Sequence, residues 1–256
     1  GDYRCFVYSR SLDPLRWSIE KKLRKLEIGP DVRENLAIKL NEMATRQPHK
    51  VFDLAMNRYG EDEALGVIVA REFAKADAES GSLILELSLD DNSWTRNWIA
   101  SSTRRADLVL LEVKGQPDDS EPVRITVVEA KARSSEFRPP GLGSDPFDVG
   151  FEQVDTTLAL FRGLVGAGRR NLSDAIRLRA FSEQVAAVAA FEFERSGKTP
   201  EFHQYFDNLS RFFADPSVAV NSMKGLVVAI FTNGLQMAQE SVIDNIRLIS
   251  CSARAL

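Results

Sequence analysis

Residues 123–133, Val-Arg-Ile-Thr-Val-Val-Glu-Ala-Lys-Ala-Arg, constrain the fold more than any other stretch. The β-branched run from Ile125 to Val128 follows a polar turn over residues 116–122 and reads as a buried strand. Two ionisable residues then stand on it, Glu129 and Lys131, with only Ala130 between them. Side chains on a strand alternate with period two, so Glu129 and Lys131 share a face with Ile125 and Val127. A carboxylate and an amine at the end of an apolar strand are costly to bury unless they are used or paired.

Residues 106–113, Ala-Asp-Leu-Val-Leu-Leu-Glu-Val, form a second apolar run, joined to the first by Gly115-Gln-Pro-Asp-Asp-Ser-Glu-Pro122. Such turn chemistry predicts an antiparallel hairpin folded about Asp118 and Asp119. Its register places Asp107 opposite positions 129 to 131, where opposed Cβ atoms lie roughly 5 Å apart. Asp107 and Glu129 can then hold one divalent ion, with Lys131 beside it. Glu112-Val-Lys114 repeats the acid-x-amine pattern, but even positions on an unbroken strand face away from Asp107. Those two residues are expected at a solvated strand end.

Asp107 on one strand, with Glu129 and Lys131 on the next, resembles the signature of the PD-(D/E)XK nuclease superfamily; Ala106 replaces the usual Pro before the Asp. The resemblance implies an α/β fold: a restriction-endonuclease-like αβββαβ core with a mixed central sheet. It implies a Mg²⁺-dependent endonuclease acting on DNA, with Mn²⁺ as a substitute ion, in a setting such as restriction or anti-phage defence. Asp107, Glu129 and the Ala130 carbonyl would hold the metal, and Lys131 would act on the attacking water. In such nucleases a Gln on the helix after the Glu-x-Lys strand points into the site, which here is Gln153. A Glu on the helix before the first strand assists; Glu63 is the preferred candidate and Glu72 the alternate. A partner subunit, a motor domain of a larger complex and a homodimer are all compatible with the resemblance. An RNase of the same fold, or a non-catalytic module that binds nucleic acid or protein, are its rivals.

The remaining chain is read as the setting of that hairpin. Residues 1–60 are expected as a helical segment, with helices over 14–26, 31–46 and 48–59, and residues 61–256 as the nuclease-like domain. The spacing predicts a helix over 62–75 and a strand over 82–89. A long loop over 90–105 carries Trp94, Arg96, Trp98, Arg104 and Arg105, residue types that pack on the core or stack on bases. A Pro- and Gly-rich loop fills 134–150, followed by a helix over 151–163 with Gln153 in its first turn, where a helix N-terminus favours phosphate. Thr156 and Thr157 on it are expected to pack or to bond locally. Helices over 173–195 and 200–214, the second with a Phe-rich face, form a helical insertion before the last strand, 225–232.

Composition limits the alternatives. The 256 residues are 44% hydrophobic, ample for a core, and the formal net charge of −4 argues against a protein that coats nucleic acid. Two cysteines, Cys5 and Cys251, stand at opposite ends, as expected for a reducing cytoplasm. No apolar run approaches the roughly 18 residues of a membrane span, so no membrane partner is expected. With only His49 and His203, histidine-dependent nucleases and zinc hydrolases are poorly supported. Gly197-Lys-Thr199 lacks the first Gly of a phosphate-binding loop, since Glu192 occupies that place. The opening Gly1 suggests a tag remnant on a longer protein.

Overall fold

A computed structural model describes residues 29–46, 61–89, 105–115, 121–143, 145–166, 171–196, 202–215, 223–233 and 237–252, together with 20, 21 and 24. The helix expected over 48–59, most of that over 14–26, loop residues 90–104, the hairpin tip, Cys5, His49 and the 197–199 stretch lie outside these residues. The described elements are α1 (Pro30–Arg46), α2 (Glu61–Ala76), β1 (Leu83–Ser88), β2 (Leu108–Val113), β3 (Val123–Glu136), α3 (Phe147–Gly166), α4 (Leu172–Ser196), α5 (Phe202–Ala214), β4 (Met223–Asn233), β5 (Gln239–Ile243) and β6 (Ile246–Ser252).

The strands form one mixed sheet in the order β1-β2-β3-β4-β6-β5. β1, β2 and β3 pair antiparallel; β4 is parallel to both β3 and β6, and β5 closes the far edge antiparallel to β6. The strand expected over 225–232 is therefore not the last one. Residues 239–252 add a hairpin whose outer strand, β5, has no fully buried position and reads too polar for a core strand. A polar edge of that kind discourages pairing with another chain.

Alternation along the strands divides the interior into two layers. Leu85, Val109, Leu111, Ile125, Val127 and Val227 face the layer of α3, α4 and α5, in which Val154, Leu158, Phe161 and Val165 of α3 recur at helical spacing and bury one stripe. Leu108, Leu110, Val128 and Val228 face α2, against which Leu36 and Ala37 of α1 also pack. Helix α1 thus shares a core with the sheet. β2 is buried at every position because both its faces are covered, which explains its unbroken apolar run.

Two expectations are corrected by packing. Glu112 and Lys114 are not at a solvated strand end: they are 6% and 4% exposed. Glu112 Oε1 accepts the Glu79 N–H at 2.8 Å and the Ser82 hydroxyl at 3.0 Å, Arg124 reaches Oε2 at 3.2 Å, and Lys114 pairs with Glu79. The turn after α2 folds over the strand end, and the acid staples it there. On α5 the packed face is Tyr205, Leu209 and Phe212, whereas Phe206 is exposed. Asn208, fully buried on the same helix, donates to the Lys114 carbonyl at 2.8 Å.

Candidate active site

The ladder between β2 and β3 pairs Leu108 with Val128, which brings the residue before β2 beside the acid-x-amine stretch. Asp107 sits in a bend there, and its backbone is tied on both sides. Its N–H donates to the Val128 carbonyl at 3.1 Å, and its carbonyl accepts the Leu89 N–H at 2.9 Å. Its side chain turns towards β3: Oδ2 accepts the Ala130 N–H at 2.9 Å. The Asp107 carboxylate therefore stands at the peptide between Glu129 and Lys131. A strand residue presents its N–H and C=O to the same edge, so the Ala130 carbonyl faces that side too.

Glu129 and Lys131 lie on the α3 face, as their parity requires. Glu129 is 2% exposed, and its Oε1 meets the Lys131 ammonium at 2.5 Å. A buried carboxylate at that depth is tolerable because the amine neutralises it. Lys131 also donates to Gln153 Oε1 at 2.5 Å. Gln153 uses the other end of its amide as well, with Nε2 donating to the Arg105 carbonyl at 2.7 Å.

Helix α3 reaches this depth because Gly150 lies in its first turn. A Cβ there would come within 2.6 Å of Val227 Cγ1 and 3.7 Å of the Glu129 and Lys131 Cγ atoms. Glycine is a poor helix former, so the sequence reads as though the helix began after it; the helix in fact starts at Phe147. Gln153 is consequently six residues into α3 rather than in its first turn, and the expected phosphate contact with the helix terminus does not apply to it.

Asp107, Glu129, Ala130, Lys131 and Gln153 are thus linked by a chain of backbone and side-chain contacts. Glu63 is exposed in the first turn of α2. That helix covers the opposite face of the sheet, where Gly66 packs against Ala130 and Ala132. Glu72 is drawn to Lys39 of α1, and beside it the buried pair Arg71–Glu86 is joined by the partly exposed Lys75. His203 is exposed. Sequence reasoning passed over Gly150 and the Arg105 carbonyl. It took Thr157 for a locally bonded residue, although the Thr157 hydroxyl also accepts the Ala106 N–H at 3.0 Å. The only sequence signal for that role is its position four residues after Gln153, one helical turn along the same face.

Among the described residues, no three His, Cys, Asp or Glu side chains converge as a metal-binding group. The donor set nonetheless fits Mg²⁺, which is commonly held by one or two carboxylates and keeps several waters. Here the Asp107 carboxylate stands at the Ala130 N–H, one residue from Glu129, whose Oε2 is buried without a hydrogen bond while Oε1 holds the lysine. No helix among the described residues is long and apolar enough to cross a membrane. No family model, no curated protein and no solved structure matches the chain.

Proposed function

We propose that the chain is a Mg²⁺-dependent phosphodiester hydrolase of the PD-(D/E)XK type, acting on DNA. The observation that carries this reading is the bond from the Ala130 N–H to the Asp107 carboxylate, which sets one acid beside the Glu129–Lys131 pair. The order α2, β1, β2, β3, α3 and, after two helices, β4 parallel to β3 supports an αβββαβ core. β5 and β6 extend that core.

Asp107, Glu129 and the Ala130 carbonyl would hold the ion. When bound, it supplies polarisation of the scissile phosphate and a lowered pKa of water. Lys131 places a positive charge where negative charge develops on the phosphorus oxygens and orients the attacking water. Glu129 keeps that ammonium on the α3 face, and Gln153 restrains it from the helix side. Burial of Glu129 keeps bulk water from competing for the same carboxylate.

Supercoiled plasmid and a matched RNA, each incubated with the protein and Mg²⁺, test the reading. Plasmid cleavage that disappears in Asp107→Asn and Lys131→Met protein is expected. Activity undiminished in both variants, or absent from the wild type with either Mg²⁺ or Mn²⁺, would remove it.

A further inference from the structure

Two contacts that do not touch the acids or the amine converge on the peptide group that joins the two residues before Asp107. The Thr157 hydroxyl, fully buried, donates to the Gln153 carbonyl at 2.7 Å and accepts the Ala106 N–H at 3.0 Å. Gln153 Nε2 takes the neighbouring Arg105 carbonyl at 2.7 Å. Helix α3 therefore grips both ends of one peptide group, the Arg105 C=O and the Ala106 N–H, immediately before Asp107. The same Gln153 holds Lys131 through its other amide end. Beyond this peptide group the Asp107 backbone enters the sheet through Val128 and Leu89, so it has little freedom left to set its own direction.

We infer that Thr157 is a positioning residue for the ion site: its hydroxyl fixes the Ala106 peptide, and through it the direction in which Asp107 presents its carboxylate. This inference rests on the nuclease reading above. Ala106 makes the hydroxyl necessary. It is completely buried and carries an N–H, which needs an acceptor, and the Thr157 hydroxyl of α3 supplies it. Proline at that place would have no N–H and would need none. A hydroxyl is suited to the task because it donates back to its own helix while accepting from the strand. Lys131 and Asp107 are then linked through one helical turn, Gln153 to Thr157, rather than only across the ladder.

Mn²⁺ binding to the full chain, followed by electron paramagnetic resonance, tests this. Thr157→Ser and Thr157→Ala both lose the γ-methyl and differ only in the hydroxyl. The serine variant is expected to bind Mn²⁺ as the wild type does, and the alanine variant roughly tenfold more weakly, the size of effect typical of groups that orient a metal ligand. A purely structural role would lower the melting temperature of the alanine variant and leave the Mn²⁺ affinity of the folded protein unchanged; that result overturns the inference. Should the alanine variant not fold, exchange of the Ala106 amide proton in wild-type protein decides. Exchange slowed by saturating Mg²⁺ supports the linkage, and exchange indifferent to Mg²⁺ overturns it. Wild-type protein that takes up no Mn²⁺ removes the nuclease reading itself, and this inference with it.

Discussion

The Asp107 carboxylate accepts the backbone N–H of Ala130 at 2.9 Å, so an acid before β2 completes hydrogen bonding in β3. The acid thus has a structural task besides its proposed chemical one, and substitutions separate the two. Asp107→Asn keeps an oxygen for the Ala130 N–H but loses the charge. Cleavage is expected to fall at least ~100-fold with little change in melting temperature. Asp107→Ala leaves the N–H without its acceptor and should cost an additional 1–3 kcal/mol or so in stability. Denaturant unfolding of both variants, beside plasmid cleavage, checks the split.

Glu129 and Lys131 form a charge pair in which the acid is the more deeply buried partner. Removing the amine alone leaves a buried carboxylate uncompensated, a loss of about 3 kcal/mol. Lys131→Met is therefore expected to destabilise more than the double variant Lys131→Met with Glu129→Gln. A double-mutant cycle in urea measures the coupling; additive single effects would contradict the pairing.

Gly150 sets how closely α3 approaches β3 and β4. Alanine at that position would press on Val227 at 2.6 Å, a fully buried side chain of the core. An overpacking cost of about 1–3 kcal/mol is expected, together with displacement of Gln153 from Lys131. A crystal structure of Gly150→Ala protein should show α3 shifted away from the sheet, and its thermal unfolding should begin earlier. Unchanged stability and helix position would contradict the account of this glycine.

Cys251 on β6 is 1% exposed, and burial pushes its thiol up from the ordinary 9.0 to about 12. At pH 8 about one thiol in ten thousand is then the reactive thiolate. Iodoacetamide should leave Cys251 unlabelled in native protein and label it in guanidinium, as read by mass spectrometry. The raised value also has a stability consequence. The folded chain holds this proton more tightly than the unfolded chain, so the contribution is complete below pH 9.0 and is lost as pH rises towards about 12.

The hairpin and the placement of its charged residues were legible because each rests on local pattern. A β-branched run bounded by turn residues locates β3, and period-two alternation places Glu129 and Lys131 on one face. Proximity of Asp107 to both followed from hairpin register. What escaped depends on residues distant in sequence. Glu112 reads as a solvated acid until Glu79, Ser82 and Arg124 are seen to surround it. Gly150 reads as a break before a helix because propensity cannot register the Val227 side chain opposite it. Thr157 reads as local packing since its acceptor role depends on Ala106, 51 residues earlier. β5 was missed because it is half polar and lies at the sheet edge.

Anomalous diffraction from crystals soaked in Mn²⁺ tests the central claim most directly. One ion is expected within bonding distance of both the Asp107 and the Glu129 carboxylates, with the Ala130 carbonyl or waters completing a six-oxygen shell. An ion bound by one of these acids without the other, or none at either under saturating Mn²⁺, would contradict it.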